Sequence, residues 1–119
     1  MTAAFLARQR TFLLDAALDL KAAIQRGRSA VQVDRHAEAI EEALEIAARD
    51  QAARDIDRSR KMLRLVEAAL DRIQHADYGD CDRCGAFIGA KRLEAVPWAT
   101  HCRACAELAE TRQYQEVVA

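Results

Sequence analysis

Residues 81–105 read CDRCGAFIGAKRLEAVPWATHCRAC and contain all four cysteines of the 119-residue chain. The cysteines form two C-x-x-C pairs, Cys81 with Cys84 and, after seventeen intervening residues, Cys102 with Cys105. Each pair places two sulfur atoms on one tight turn, and two such turns complete the tetrahedral set of thiolates that binds Zn²⁺. The spacing therefore predicts one structural zinc ion held by these four cysteines.

Other chemistries at this stretch have less support from the residues. His101 adjoins Cys102, but four thiolates already complete a closed site, so we do not expect a histidine ligand. The same saturation leaves no open position for a catalytic zinc. A thiol redox enzyme stays as an alternative, although the chain lacks the βαβ pattern of a thioredoxin-like site. We predict that the chain is not an enzyme.

The composition favours a mainly α protein with long helices. Apolar residues make up 51% of the chain, aromatic residues only 5%, and there are one proline and four glycines. Chains of this kind, rich in Ala, Glu, Leu and Arg, are typically helical. Because a short chain with few large apolar side chains buries little area, we expect helix–helix contacts and the metal to supply much of the order.

The first predicted helix covers residues 3–26. Leu6, Leu13 and Leu20 recur every seven residues along it, which indicates packing against one partner helix. Gly27 follows Arg26, and a glycine just past a basic last turn predicts the helix end. We therefore place a turn at residues 27–33.

Two starts for the next helix remain open. Ser29 and Gln32 have the spacing of a capping box, whereas Asp34 alone is a suitable N-cap. From residue 34 to residue 76 there is no glycine or proline, which predicts one helix of roughly 43 residues, ~64 Å long. Its first half is rich in alanine and its second half carries larger apolar side chains, namely Ile56, Met62, Leu63, Val66, Leu70 and Ile73.

These helices predict a long antiparallel hairpin of the coiled-coil type. We assign residues 1–77 to this hairpin and residues 78–119 to a small zinc-finger domain. The finger domain ends in a short C-terminal helix, predicted over about residues 103–115 by its apolar spacing.

Charge is unevenly distributed along the chain, whose net charge is −1. Residues 29–50 carry six acidic and two basic side chains, at the end of the hairpin far from the cysteines. A run of this kind is often a solvated helix face, favoured by the helix dipole at its N-terminus. The alternative is an acidic tip that reaches into a basic or metal-bearing cavity of a partner.

The finger shows no excess of positive charge. Between residues 79 and 107, four basic side chains are matched by four acidic ones, which argues against direct contact with phosphates and against sequence-specific DNA binding. The chain shows neither an apparent signal peptide nor an apolar stretch long enough to span a membrane. We therefore expect a cytoplasmic protein, in which paired cysteines more often bind metal than form disulfides.

A family resemblance rests on the finger and on the base of the long helix. Residues 78–105 fit Y-G-x-C-x-x-C-G-x-x-I-G-x-x-R-L-x-A-x-P-x₄-C-x-x-C, which closely resembles the zinc finger of the DksA/TraR family. Upstream, residues 57–63 read DRSRKML and resemble the base of that family's second coiled-coil helix. The resemblance covers about residues 54–112.

This resemblance implies a bacterial regulator of transcription that binds RNA polymerase. Members of the family insert the coiled-coil hairpin into the secondary channel of the polymerase, with acidic tip residues near the active site and the zinc finger in a structural role. Many act together with guanosine tetraphosphate. The alternative is a zinc-stabilised structural or adaptor protein whose tip is not functional.

The resemblance also places candidate polymerase contacts, with departures from the family pattern. At the tip they are Asp34, His36, Ala37 and Glu38, where the family has D-x-x-D-x-A; Val31 stands at the first aspartate and His36 at the alanine. At the base they are Arg58 and Arg92, each of which is alternatively a surface ion-pair residue. The second helix is seven residues longer than in the family, and one heptad preserves the facing of the helices.

In family members that respond to guanosine tetraphosphate, the alarmone, basic residues contact this nucleotide. The corresponding positions of this chain are not basic. By alignment from the cysteines they are Leu65, Val96 and Ala106. Because a tetraphosphate needs basic partners, we predict weak or no direct binding of guanosine tetraphosphate. The promoters affected, the direction of regulation and the oligomeric state are left open by the sequence.

Overall fold

The protein is mainly helical. The computed structural model describes the backbone of residues 1–31 and 39–118 and the side chains of residues 1–28 and 39–112. Four helices follow one another: α1 (Ala3–Val31), α2 (Ala39–Gln74), α3 (Ala90–Ala95) and α4 (Arg103–Val118). Within the described residues there is no β-sheet, only one isolated antiparallel bridge between Asp80 and Phe87. The predicted fold class is confirmed.

The predicted end of the first helix at residue 26 and the turn beginning at residue 27 are wrong, because α1 continues through Gly27 to Val31. The reason lies in packing: a Cβ atom at Gly27 would lie 2.6 Å from Cγ1 of Ile56. The glycine therefore allows α1 and α2 to approach closely. The two competing starts of the long helix lie outside the described residues.

The chain divides into two compact units. One comprises residues 14–65, and the other comprises residues 1–13 together with residues 66–119. The second unit thus joins the finger to the first turns of α1 and the end of α2. The predicted division into a hairpin domain (residues 1–77) and a finger domain (residues 78–119) remains a prediction, and it differs from these units because the finger packs on both helices.

In the unit of residues 14–65, α1 and α2 run antiparallel. Leu20 borders a groove that Ser59 and Met62 also line, whereas Gly27, two turns further along α1, meets Ile56. The face of α2 near its start is exposed: Ile40 retains 79% and Leu44 67% of its accessible surface. This part of α2 contributes little burial within the described residues.

In the other unit, α1 and α2 bury larger side chains. Leu13 and Val66 are fully buried, and Phe5 and Ala69 are buried as well. Phe12, the residue before Leu13, is half exposed. No helix in the described part of the chain is long and apolar enough to cross a membrane.

Candidate metal centre

The first cysteine pair lies on a tight backbone turn. The Cys81 N–H donates to the carbonyl oxygen of Ala86 at 2.8 Å, and the Gly85 N–H donates to the carbonyl oxygen of Cys81 at 2.9 Å. Gly85 has a φ of 74°, in the left-handed region that favours glycine. These bonds hold Cys81 and Cys84 at the two ends of one turn.

The second cysteine pair begins α4. The Ala106 N–H donates to the carbonyl oxygen of Cys102 at 2.9 Å, which places Cys105 in the first turn of this helix. The Asp82 N–H donates to the carbonyl oxygen of Thr100 at 2.8 Å and joins the turn of the first pair to the loop just before the second pair.

The four sulfur atoms come together in one cluster. They all lie within 4.8 Å of one another, and the Sγ atoms of Cys84 and Cys102 are 3.8 Å apart. A tetrahedral zinc site with Zn–S distances of about 2.3 Å needs S–S distances of about 3.8 Å. The donor set therefore fits Zn²⁺. It is the one cluster of metal-binding side chains found among the described residues.

The environment of the sulfurs favours the thiolate at Cys81 and disfavours it at Cys105. Backbone N–H groups, those of Cys84 and Cys102 first, lower the pKa of the Cys81 thiol to about 5. In contrast, a hydrogen bond with the Cys102 thiol, followed by burial, raises the pKa of Cys105 to about 12. Bound zinc must therefore displace a proton from Cys105, while Cys81 is ready to bind at neutral pH.

His101 lies beside this cluster without joining it. Its Nδ1 atom is 2.7 Å from the hydroxyl oxygen of Thr100. The side chain is thus engaged by its neighbour in the chain, and the sulfur cluster is complete without it.

A buried polar network anchors the finger to the helices. The side-chain amide of Gln9 donates to the hydroxyl oxygen of Tyr78 at 3.0 Å and to the carbonyl oxygen of Leu93 at 2.7 Å. The Tyr78 hydroxyl in turn donates to the carbonyl oxygen of Pro97 at 2.8 Å. Burial raises the pKa of Tyr78, so the phenol stays protonated and able to donate.

Sequence reasoning did not identify this network. Its one sequence signal is the position of Gln9 at four-residue spacing between Phe5 and Leu13, both of which are buried. A polar side chain on an apolar stripe indicates a buried hydrogen-bond partner. The pattern does not identify that partner, because Tyr78 and Leu93 lie 69 and 84 residues away in sequence.

The loop before the second cysteine pair is held by two arginines as well. The Arg72 guanidinium is within 3.3 Å of the Trp98 carbonyl oxygen and 3.4 Å of that of Ala99. Arg92 donates from Nε to the carbonyl oxygen of His101 at 3.0 Å. In the finger, Leu93 is fully buried and Ile88 is buried, whereas Phe87 is half exposed.

Only some of the predicted polymerase contacts lie in the part of the chain that the structure describes. The tip residues Asp34, His36, Ala37 and Glu38 lie outside the described residues. Arg58 is exposed on α2 and forms an ion pair with Asp55 at 2.6 Å. Arg92 donates to the carbonyl oxygen of His101 within the finger. These roles in polymerase binding stay predictions.

Comparison with known proteins shows the family. The model of the prokaryotic DksA/TraR C4-type zinc finger matches residues 76–110. The solved structure of transcription factor DksA2 from Pseudomonas aeruginosa superimposes with a TM-score of 0.84 and 30% sequence identity, covering 96% of this chain and 89% of that chain. The chain belongs to the DksA/TraR family.

Other DksA/TraR relatives agree with this assignment. The RNA polymerase-binding transcription factor DksA of Escherichia coli (strain K12) is 41% identical over 83 residues, 70% of this chain and 50% of that protein. The chain thus spans about half the length of the curated relatives it matches. The RNA polymerase binding protein and transcriptional regulator Dks from Chlamydia trachomatis L2 has the same fold, with a TM-score of 0.59, 24% identity and 95% coverage of both chains.

Family membership also identifies the metal. The DksA/TraR finger is of the C4 type, and this chain brings four cysteine sulfurs to within metal-binding distance. One structural zinc is therefore confirmed as the cofactor.

Proposed function

We propose that this DksA/TraR protein regulates transcription by binding RNA polymerase through its secondary channel, with the end of the α1–α2 hairpin toward the active site. One observation carries the proposal: 96% of the chain superimposes on the structure of transcription factor DksA2. The relatives from Escherichia coli and other bacteria are named RNA polymerase-binding transcription factors. The protein acts by contact and is not an enzyme, and its place of action is the bacterial cytoplasm.

The finger has a structural role in this proposal. Cys81, Cys84, Cys102 and Cys105 hold the zinc. Four basic side chains between residues 79 and 107 are matched by four acidic ones, and one of them, Arg103, pairs with Glu107 at 3.2 Å. A charge-balanced surface of this kind suits contact with protein better than direct contact with DNA.

The functional residues at the two ends of the hairpin are proposals as well. At the tip, Asp34, His36, Ala37 and Glu38 approach the active site of the polymerase. At the base, Arg58 and Arg92 contact the polymerase surface. The exposed Arg58 guanidinium is available for this contact, because surface ion pairs such as Arg58–Asp55 contribute little stability.

An in vitro transcription assay tests the role of the tip. We expect Asp34→Asn to bind core polymerase as wild type does but to lose most of the effect on transcription. The matched control is Asp50→Asn, the same change at an exposed position of α2, and it should behave as wild type.

The outcomes separate the two candidate functions. If Asp34→Asn keeps the full effect on transcription, the tip role is wrong. If wild type binds polymerase but leaves transcription unchanged at every promoter tested, the protein is a zinc-stabilised adaptor, as the departures from the family tip motif also allow.

A further inference from the structure

Gln9 is the one buried polar side chain, tyrosine aside, in the described part of the protein. It retains 7% of its accessible surface. It is 69 residues from Tyr78 and 84 residues from Leu93 in sequence, yet one amide group bonds both. Both N–H bonds of its amide are thereby used. The first three turns of α1 are therefore joined to the finger by a buried side chain that uses both of its N–H bonds.

The acceptors of Gln9 belong to the same framework as the metal ligands. Tyr78 precedes Cys81 by three residues, and Pro97, to which the Tyr78 hydroxyl donates, precedes Cys102 by five. Zinc binding joins the two cysteine pairs. The metal and the Tyr78–Pro97 bond therefore connect the same two segments of chain, residues 78–84 and residues 97–105. The backbone bond from Asp82 to Thr100 lies between these two ties.

We propose that Gln9 makes the docking of residues 3–13 of α1 depend on zinc. When the cysteines release the metal, the two segments lose a shared tether, because metal binding energy is folding energy in such sites. The acceptors then move away from the Gln9 amide. A buried amide without partners is costly, so the start of α1 leaves the finger. The coupling concerns folding within one compact unit and does not depend on polymerase binding.

Hydrogen exchange of the full chain, followed by mass spectrometry under reducing conditions, measures this coupling. Zinc-loaded wild type is compared with protein stripped of zinc by a chelator. We expect the amides of residues 3–13 to exchange about tenfold faster after stripping, because losing a buried hydrogen bond lowers local stability by about that factor. Peptides from residues 39–65 should change little.

Gln9→Met identifies the side chain responsible. Methionine fills similar apolar space but cannot donate a hydrogen bond. In the zinc-loaded variant, we expect residues 3–13 to exchange as fast as in stripped wild type, while one zinc per chain and slow exchange of residues 81–105 are retained. Stripping the variant should then change exchange at residues 3–13 by less than about twofold.

The matched control is Gln74→Met, the same substitution at an exposed position of α2 in the same compact unit. It should keep the zinc dependence of wild type. Tyr78→Phe is the second test variant: it keeps the ring but removes the hydroxyl, and we expect it to lose the zinc dependence as Gln9→Met does. The double variant Gln9→Met/Tyr78→Phe should exchange at residues 3–13 only slightly faster than either single variant.

Each remaining outcome contradicts the proposal. If Gln9→Met retains the wild-type zinc dependence, Gln9 does not carry the coupling. If stripping zinc accelerates exchange uniformly, residues 39–65 included, zinc loss unfolds the whole chain and the selective coupling is wrong. If Gln9→Met fails to fold, as judged by helical circular dichroism, Tyr78→Phe decides: retained zinc dependence in that variant overturns the proposal.

Discussion

Ala76, just after α2, has a φ of 62°, in the left-handed region where glycine is usual. The Asp77 N–H donates to the carbonyl oxygen of Arg72 at 2.9 Å. The Ala76 N–H donates to the carbonyl oxygen of Ile73 at 3.4 Å. This pattern ends a helix and satisfies its last carbonyl groups. The chain thus leaves α2 toward Tyr78 through a residue that is strained by its own Cβ atom.

Ala76→Gly should therefore stabilise the zinc-loaded protein by about 1 kcal/mol, because glycine adopts this conformation without strain. Urea unfolding with zinc present measures the change. Ala68→Gly, at an exposed position inside α2, is the control and should destabilise by about 1 kcal/mol. A loss of stability in Ala76→Gly would show that the left-handed turn is not the helix end in solution.

Gly27 differs from the Ala76 position, because its backbone angle is ordinary and only the lack of a side chain matters there. Gly27→Ala should destabilise the protein by about 1–2 kcal/mol despite the better helix propensity of alanine, because the new Cβ overlaps Cγ1 of Ile56. Urea unfolding of the zinc-loaded chain checks this. On an Ile56→Ala background the same change should cost nothing. A stabilised single variant would mean that α1 and α2 do not approach closely here.

At the scale of the elements, the finger should lose zinc as the pH falls. The pKa of Cys105 is raised to about 12, so this thiol is protonated at neutral pH and must release its proton to bind metal. Proton release on binding means that affinity rises with pH. From pH 7 to pH 6, the apparent dissociation constant for zinc should increase at least about tenfold.

Competition with a chromophoric chelator at several pH values measures this dependence. Cys105→Ser, which keeps three sulfur ligands, should bind zinc more weakly. An affinity independent of pH between 6 and 7 would show that zinc displaces no proton, contrary to the proposed four-thiolate site.

The finger was predictable from the sequence because its ligands are adjacent in sequence within each pair. The spacing of Cys81, Cys84, Cys102 and Cys105 fixes two turns, and the metal fixes their approach. The end of α1 was not predictable in the same way. Gly27 suits a helix end and a close helix crossing equally well, and only the position of Ile56 decides between them.

The anchoring of the finger was beyond sequence reasoning for a related reason. Gln9, Arg72 and Tyr78 bond backbone carbonyl groups, and a carbonyl group carries no residue identity. Partners 19 to 84 residues away leave no local pattern. The acidic run at the start of α2 was readable as a charge pattern, but its function depends on a partner surface.

For the protein as a whole, we expect little direct response to guanosine tetraphosphate, the alarmone. Leu65, Val96 and Ala106 offer no basic group at the positions where the family resemblance implies contacts with the alarmone, and Leu65 is partly exposed. Adding this protein should change the affinity of polymerase for the alarmone by less than about twofold, against the fivefold or more of typical allosteric coupling. Filter binding with labelled alarmone checks this, and an increase of fivefold or more would contradict it.

The central claim is that the protein binds RNA polymerase through the secondary channel. Fluorescence anisotropy of the labelled, zinc-loaded chain titrated with bacterial core polymerase tests it most directly, with DksA of Escherichia coli as competitor. We expect saturable one-to-one binding at micromolar concentration or below, reversed by the competitor. Absence of binding at micromolar concentration, or binding that the competitor does not displace, would contradict it.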